Sequence, residues 1–250
     1  MIKTDILIIG AGPTGLFTVF EAGLLKMKCH ILDSLTQPGG QCIELYPKKP
    51  IYDIPGYPEI IAGDLIENLL EQIKPFQPSY TLGETALNLD KLDDGSFKVT
   101  TDKGTEILAK IIAIAGGLGT FTPRKPNISN ISDYENKGIL YMIKDPSEFK
   151  DKKVVIAGGG DSALDWSIQL SKISKKLILI HRRNEFRGAD DSVASVQKLK
   201  DLGKIDVITP AQVEKLNGKS KLESIIIDVD GNKSKIETDY FIPLFGLVPN

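Results

Sequence analysis

Apolar and polar positions follow the same order twice along the chain. An apolar run from Ile6 to Ile9 leads into a glycine-rich turn and a helical stretch, and a second apolar run ends at Asp33. The stretch from Lys153 to Arg187 repeats this order of strand, glycine turn, helix and strand. Short apolar runs that alternate with helical stretches predict parallel strands joined by helices. We therefore predict an α/β fold with two Rossmann-like dinucleotide-binding domains, each with a parallel sheet and small antiparallel insertions.

Both turns carry the glycine spacing of a dinucleotide-binding fingerprint. The first is Gly10-x-Gly12-x-x-Gly15, and the second is Gly158-x-Gly160-x-x-Ala163. In such a turn the first glycine makes the bend, the second lets a phosphate approach the backbone, and the third position lets the helix pack on the strand. The helix that follows points its free N–H groups at the phosphates. For either motif alone, a turn that serves only packing is the alternative.

The position that ends the second strand differs in charge between the two units. It lies 23 residues after the first glycine in both. Asp33 at this position can accept hydrogen bonds from ribose hydroxyls and would repel a 2′-phosphate. The second unit instead has His181-Arg182-Arg183 there, followed by Arg187. Arginine binds phosphate through charge-assisted hydrogen bonds, so this site should prefer NADP over NAD. A solvated basic run is the alternative.

The remaining segments predict the rest of the fold. Residues 63–76 have the apolar spacing of an amphipathic helix. Small antiparallel strands are predicted at 81–109, 199–217 and 222–235, and buried strands at 110–115 and 240–250. Each buried strand ends in a glycine-containing segment, which we interpret as a crossing between domains. The predicted domains are residues 1–118, which bind the first nucleotide, and residues 119–250, which bind the second.

Composition narrows the class of protein. Hydrophobic residues make up 41% and charged residues 26% of the chain, as in globular proteins. The net charge of −2 gives no support to nucleic-acid binding. No apolar run approaches the ~20 residues of a membrane span, so no membrane partner is expected. Cys29 and Cys42 are the only cysteines and have no CxxC spacing. We therefore expect a reducing, cytoplasmic location.

Six motifs together resemble the two-dinucleotide-binding-domain flavoproteins of the thioredoxin-reductase type, and among these the ferredoxin–NADP reductases. The motifs are GAGPTG (10–15), the PGGQ–LYP loop (38–47), YDIPGYP (52–58), AGGLGTFTPR (115–124), GGGDSALDW (158–166) and HRRNEFRG (181–188). The resemblance extends over essentially all 250 residues. It implies FAD in the first domain and NADPH in the second.

The resemblance also implies roles for individual residues. With Gly10, Gly12 and Gly15, the expected FAD contacts are Thr14, Asp33, Gln41, Tyr46, Ala86 and Phe121. The residues expected around the NADPH pyrophosphate are Gly158, Gly160, Asp161, Ser162 and Ala163. Those expected at its 2′-phosphate are Arg182, Arg183 and Arg187. No catalytic acid–base group and no metal site are expected, because the cofactors carry the chemistry.

The chain departs from thioredoxin reductase in one respect that bears on the electron acceptor. The stretch before the second glycine turn, residues 140–145, contains no cysteine. Without a dithiol there, electrons cannot leave by thiol–disulfide exchange. We therefore expect them to pass from the flavin directly to ferredoxin or flavodoxin. The alternatives are another acceptor (oxygen, a quinone or a separate dithiol protein) and a non-catalytic module that binds NADP(H) or FAD.

The resemblance carries three further expectations. The protein is expected to be a homodimer. Relatives continue into a segment that closes the FAD domain, so we expect this chain to be a fragment whose FAD domain is incomplete. Finally, nicotinamide and flavin must meet for hydride transfer, so we expect the domains to rotate about the crossings at 116–126 and 246–250.

Overall fold

A computed structural model describes residues 1–119 and 121–249, without the side chains of Phe121 and Pro249. The chain forms two compact units, Met1–Thr120 and Phe121–Asn250. The α/β class with parallel sheets and antiparallel insertions is confirmed in both.

The first unit begins with a strand, the glycine turn and a helix. Its elements are β1 (Ile2–Ile9), α1 (Pro13–Leu24), β2 (Cys29–Asp33), α2 (Gly40–Glu44), β3 (Pro50–Ile51), β4 (Ile60–Ile61), α3 (Ala62–Ile73), β5 (Ser79–Leu82), β6 (Ala86–Lys91), β7 (Phe97–Thr101) and β8 (Glu106–Ile114). Helix α1 begins at Pro13, where a missing N–H removes no intrahelical bond. The predicted helix at 63–76 is confirmed as α3, and a short 3-10 turn follows it.

The strands of the first unit form one six-stranded sheet in the order β5-β2-β1-β8-β7-β6. Strand β8 pairs in parallel with β1 and antiparallel with β7. The sequence predicted an antiparallel strand before residue 110 and a separate buried strand after it. This prediction was wrong in two ways, because β8 is continuous and its second half is not uniformly buried: Ile111 is 45% exposed and Ile114 is 80% exposed.

The core of the first unit lies on both faces of this sheet. On one face, α1 packs against β1 and β2 and α3 packs on α1, with Leu16 and Ile66 buried in one cluster with Ile8. On the other face, Leu7 and Val99 are fully buried in a smaller cluster. Helix α1 therefore holds β1 and β2 in place, and the glycine turn lies at the carboxyl ends of these two strands.

The second unit repeats the strand–turn–helix–strand order. Its elements are β9 (Phe121–Pro123), β10 (Lys153–Ala157), α4 (Asp161–Leu170), β11 (Lys176–Ile180), α5 (Asp190–Asp201), β12 (Asp206–Ile208), β13 (Gln212–Gly218), β14 (Leu222–Val229), β15 (Asn232–Glu237), β16 (Tyr240–Pro243) and β17 (Leu247–Pro249). Strands β12-β11-β10-β16 form a parallel sheet. Strands β13-β14-β15 form an antiparallel sheet, and β9 pairs antiparallel with β17.

The second core is formed between the parallel and antiparallel sheets. Ile225 and Ile227 of β14 are buried in one cluster with Val155, Ile178 and Phe241 of the parallel sheet. The sequence predicted strand structure from residue 199, but residues 199–201 belong to the last turn of α5. The acidic first turn of α5 and the lysines in its last turn suit the helix dipole, and this was the signal missed.

Candidate nucleotide-binding sites

The first glycine turn is tied to both neighbouring strands. Gly10 N–H donates to the Leu32 carbonyl at 2.8 Å, and Ala115 N–H donates to the Ile9 carbonyl at 2.8 Å. Gly10 has φ +110, and a side chain there would strike the carbonyl oxygen of Ala115. A side chain at Gly15 would strike the carbonyl oxygen of Gly10. The first and third glycines of this turn are therefore required by the fold itself.

Gly12 differs from these two glycines. Its backbone is extended, with φ −73 and ψ −178, which any residue can adopt. A Cβ built on it would meet only the Cα of Gly40, at 4.0 Å. Neither conformation nor packing within the unit requires glycine here. The free space lies at the start of α1, where backbone N–H groups are unpaired, so the turn fits a pyrophosphate.

Asp33 connects the end of β2 to this turn. Its Oδ2 accepts a hydrogen bond from Ala11 N–H at 2.5 Å, and its Oδ1 accepts one from Leu35 N–H at 2.8 Å. A carboxylate has about four acceptor positions, so each oxygen can still accept a further bond from a ribose hydroxyl. Glu84 N–H donates to the Asp33 carbonyl at 3.2 Å, which places the segment leading to Ala86 beside Asp33.

The loop after β2 also lies against the turn. Gly39 N–H donates to the Ala11 carbonyl at 2.9 Å. A Cβ on Gly40, which has φ +54, would lie 3.0 Å from the Cα of Gly12. Gln41 lies next to the segment after β8: a Cβ built on Gly117 would be 3.5 Å from Gln41 Nε2. The structure therefore brings Gly12, Asp33 and Gln41 to one edge of the sheet.

Tyr46 lies one turn beyond Gln41 and packs on the core of the first unit. Burial raises the pKa of Tyr46 to about 12, with a further contribution from the Cys42 thiol to which it is hydrogen-bonded. Tyr46 therefore stays neutral at physiological pH. Thr14 is exposed in the first turn of α1. Phe121 is the first residue of β9, but its side chain lies outside the described residues.

The second glycine turn has the same construction. Gly158 N–H donates to the Ile180 carbonyl at 3.0 Å, and a side chain on Gly158 would approach the Leu244 carbonyl oxygen to 2.6 Å. Ala163, at the third position, is fully buried. Gly160 is extended, with φ −104 and ψ −179, and a Cβ on it would meet nothing within 4 Å. As at Gly12, the space at the start of α4 fits a pyrophosphate, and Ser162 is exposed beside it.

Three cations lie in the loop after β11. Arg182, Arg183 and Arg187 are exposed. Within the part of the chain that the structure describes, none of them forms an ion pair. Their charges act on His181, whose pKa is lowered first by burial and then by the neighbouring Arg187, with smaller effects of Arg182 and Arg183. The loop therefore presents unpaired positive charge, as a phosphate site requires.

His181 begins the basic run of the sequence, yet it is buried at 4% exposure. A side chain on Gly159 would strike its imidazole ring, and its ring stacks on Phe186 with centroids 5.5 Å apart. Its Nε2 has no hydrogen-bond partner among the described residues. His181 thus packs on the glycine turn, while the arginines that follow it point away from the core.

Other kinds of site are not found among the described residues. No group of three His, Cys, Asp or Glu side chains there could hold a metal ion. None of the helices in the described ranges is both long and apolar enough to cross a bilayer.

The two glycine turns have one construction, with a carboxylate beside the first and cations beside the second. Together they define a protein that binds two dinucleotides. The family model for pyridine nucleotide-disulphide oxidoreductases matches residues 4–250. A ferredoxin–NADP reductase from Flavobacterium johnsoniae is 66% identical over 249 residues, which cover 100% of this chain and 71% of that protein. One from Rickettsia rickettsii is 49% identical and covers 99% of this chain and 73% of its own length.

Solved structures show the same fold. The thioredoxin reductase of T. acidophilum superimposes with a TM-score of 0.82 at 25% identity, covering 99% of this chain and 78% of that one. The Lactococcus lactis enzyme has a TM-score of 0.81 at 23% identity, covering 98% and 78%. The chain therefore belongs to the pyridine nucleotide-disulphide oxidoreductase family, and within it to the ferredoxin–NADP reductases of the thioredoxin-reductase-like type. Enzymes of this type use FAD and NADPH.

Proposed function

We propose that this chain passes electrons from NADPH, through FAD, directly to ferredoxin or flavodoxin without a redox-active disulfide. The observation that carries the proposal is the difference in charge at equivalent positions of the two units. Asp33 stands beside the first turn, and unpaired arginines stand beside the second. A carboxylate suits a ribose with free hydroxyls, and arginines suit a ribose 2′-phosphate.

Each unit has residues that would hold its cofactor. In the first, the space at Gly12 takes the FAD pyrophosphate, Asp33 accepts bonds from the ribose, and Gln41 and Tyr46 lie beyond them toward the ring. In the second, the turn at Gly160 takes the NADPH pyrophosphate and the arginine loop its 2′-phosphate. When bound, the cofactors supply hydride transfer and the division of two electrons into single ones. The protein's part is to bind them, orient them and select the phosphorylated nucleotide.

The cysteines support a direct exit for the electrons. Cys29 lies in β2 and Cys42 in α2, both are buried and free, and the second unit has none. Burial raises the pKa of both thiols, so few are present as the reactive thiolate. A thiol–disulfide relay needs an exposed thiol with a second cysteine as its partner, and neither Cys29 nor Cys42 has these.

The choice of acceptor rests on the names of the relatives and on the surface near Tyr46. The Lys49 Nζ lies 5.9 Å from the centroid of the Tyr46 ring. A cation beside a residue assigned to the flavin site suits docking of an acidic carrier. Lys125 is another lysine whose charge suits such docking, and it forms an ion pair with Glu135 at 2.6 Å.

The test compares reduction of the FAD-loaded protein by NADPH and by NADH in the absence of oxygen, followed by reduction of added ferredoxin. Replacing Arg182 and Arg183 by alanine should lower the preference for NADPH by roughly ten- to a hundredfold, because charge-assisted hydrogen bonds to the 2′-phosphate are lost. The matched control is Lys198→Ala with Lys200→Ala, which removes two exposed cations from α5. It should leave the preference unchanged.

Two results would count against the proposal. If the double arginine variant kept the wild-type preference, the 2′-phosphate would bind elsewhere. If NADPH reduced the flavin but ferredoxin and flavodoxin both failed to reoxidise it, the acceptor would be oxygen, a quinone or a dithiol protein. The resemblance further supports a cytoplasmic homodimer, and light scattering of the purified protein tests the dimer.

A further inference from the structure

The arginine loop, residues 181–189, is tied to the second glycine turn at its beginning. The His181 ring lies on Gly159 so closely that a single methyl group there would collide with it. Phe186 stacks on the same imidazole ring, with the two ring centroids 5.5 Å apart. The start of the loop is therefore held by packing of the imidazole on the turn and on Phe186.

The far end of the loop is held by hydrogen bonds to the same turn. Arg187 N–H donates to the Gly159 carbonyl at 2.6 Å. Ala189 N–H donates to Oδ1 of Asp161 at 2.7 Å. Gly188, between them, is so close that a Cβ on it would lie 3.1 Å from the same Oδ1. Asp161 is the first residue of α4, so its side chain fixes the loop relative to the helix start.

We propose that Asp161 is a positioning residue that sets the preference for the phosphorylated nucleotide by holding the arginine loop. The inference rests on the proposed function, in which Arg182, Arg183 and Arg187 bind the 2′-phosphate. A carboxylate at a helix start would repel a pyrophosphate, so direct contact with the ligand is a poor use of this side chain. Its bond to Ala189 gives it a different use, because it helps to hold the backbone of the loop that carries the three arginines.

The expected effect follows from the cost of ordering a loop. If the Ala189 bond is lost, only the bond from Arg187 N–H to the Gly159 carbonyl holds the far end of the loop. The loop then becomes more mobile, and binding of the 2′-phosphate must order it. The adenosine, pyrophosphate and nicotinamide parts of the ligand are common to NADP+ and NAD+, so their contribution stays the same. Loss of the bond should therefore weaken NADP+ and spare NAD+.

The experiment measures dissociation constants of the FAD-loaded protein for NADP+, NAD+ and 2′,5′-ADP by calorimetry. Relative to Asp161→Asn, which also lacks the carboxylate charge, Asp161→Ala should weaken NADP+ and 2′,5′-ADP by about five- to tenfold and change NAD+ by less than about twofold. Asp161→Asn keeps an acceptor oxygen and should bind NADP+ at least as tightly as the wild type. Asp191→Ala removes an exposed carboxylate from the first turn of α5 and serves as the charge control. Thermal unfolding checks that each variant is folded.

Three outcomes would overturn the inference. Equal weakening of NADP+ and NAD+ by Asp161→Ala would place the residue at the shared pyrophosphate. Weakening by Asp161→Asn equal to that by Asp161→Ala would show that the acceptor oxygen is not what matters. An unchanged NADP+ affinity in Asp161→Ala would remove the role entirely. Failure of the proposed function looks different: wild-type protein would then bind 2′,5′-ADP no better than AMP, whatever residue 161 is.

Discussion

The glycines of the first turn should separate into one that serves the ligand and others that serve the fold. Gly12→Ala adds a methyl group where the unit has space, since the nearest protein atom to such a Cβ is 4.0 Å away. Alanine makes the unfolded chain less flexible than glycine does, and it tolerates this φ and ψ in the folded protein. This effect stabilises the variant by ~0.4–1 kcal/mol. Alanine is a poorer helix N-cap than glycine, and this effect destabilises the variant by a similar amount. We therefore expect the stability of the FAD-free protein to change by less than about 1 kcal/mol.

FAD binding should respond differently. The added methyl would occupy the space through which the pyrophosphate approaches the backbone, and overpacking of this size costs ~1–3 kcal/mol. FAD affinity should therefore fall by about five- to 150-fold. The matched control is Gly15→Ala, whose methyl would strike the Gly10 carbonyl, so it should destabilise the FAD-free protein itself. Denaturant unfolding of the FAD-free protein and quenching of flavin fluorescence on binding measure the two effects. Full FAD affinity in Gly12→Ala, or a stability loss equal to that of Gly15→Ala, would refute the reasoning.

Two further predictions concern the buried titratable groups. His30 and His181, the only histidines, both have a pKa lowered mainly by burial. As the pH falls, the unfolded chain therefore takes up protons at these residues before the folded protein does. Stability should then fall as the pH drops below 6.5, by at most about 1.4 kcal/mol per pH unit for each histidine, and level off below the folded pKa. Urea unfolding between about pH 7 and pH 5 measures this, and His30→Gln should flatten the slope; an unchanged slope would contradict the assignment. The cysteines should react slowly with a thiol reagent in the native protein, and Cys29→Ala with Cys42→Ser should keep NADPH-to-ferredoxin electron transfer; a loss beyond about tenfold would place a thiol in the electron path.

The repeated unit could be predicted from the sequence because its signals are local. An apolar run, a glycine turn and a helix occupy about thirty consecutive residues, and each step depends on neighbours in the chain. The first glycines, Gly10 and Gly158, were predicted at the bends they form. The opposite charges at Asp33 and at Arg182-Arg183 were predicted from a fixed spacing and lie next to their turns.

What could not be predicted depends on contacts between distant residues. Helix α5 was missed because Val196 is its one buried residue, so its apolar periodicity is weak. Strand β8 was divided in two because Lys110 interrupts an apolar run, yet Lys110 is exposed and the strand passes through it. The bond from Ala189 to Asp161 joins residues 28 positions apart, and its existence depends on the path of the arginine loop.

In both units an acidic side chain connects the glycine turn region to the segment at or after the end of the second strand, but the acid lies at opposite ends of this connection. In the first, Asp33 at the strand end reaches back to Ala11 in the turn. In the second, Asp161 in the helix start reaches out to Ala189, beyond the strand end. An acid at the strand end of the second unit would lie among the arginines and reduce the positive charge that a 2′-phosphate requires. Placing it at the start of α4 keeps the tie and puts the negative charge where the helix dipole favours it. In the proposed assignment of the two nucleotides, the change from an unphosphorylated to a phosphorylated ribose therefore involves a relocated carboxylate as well as added cations.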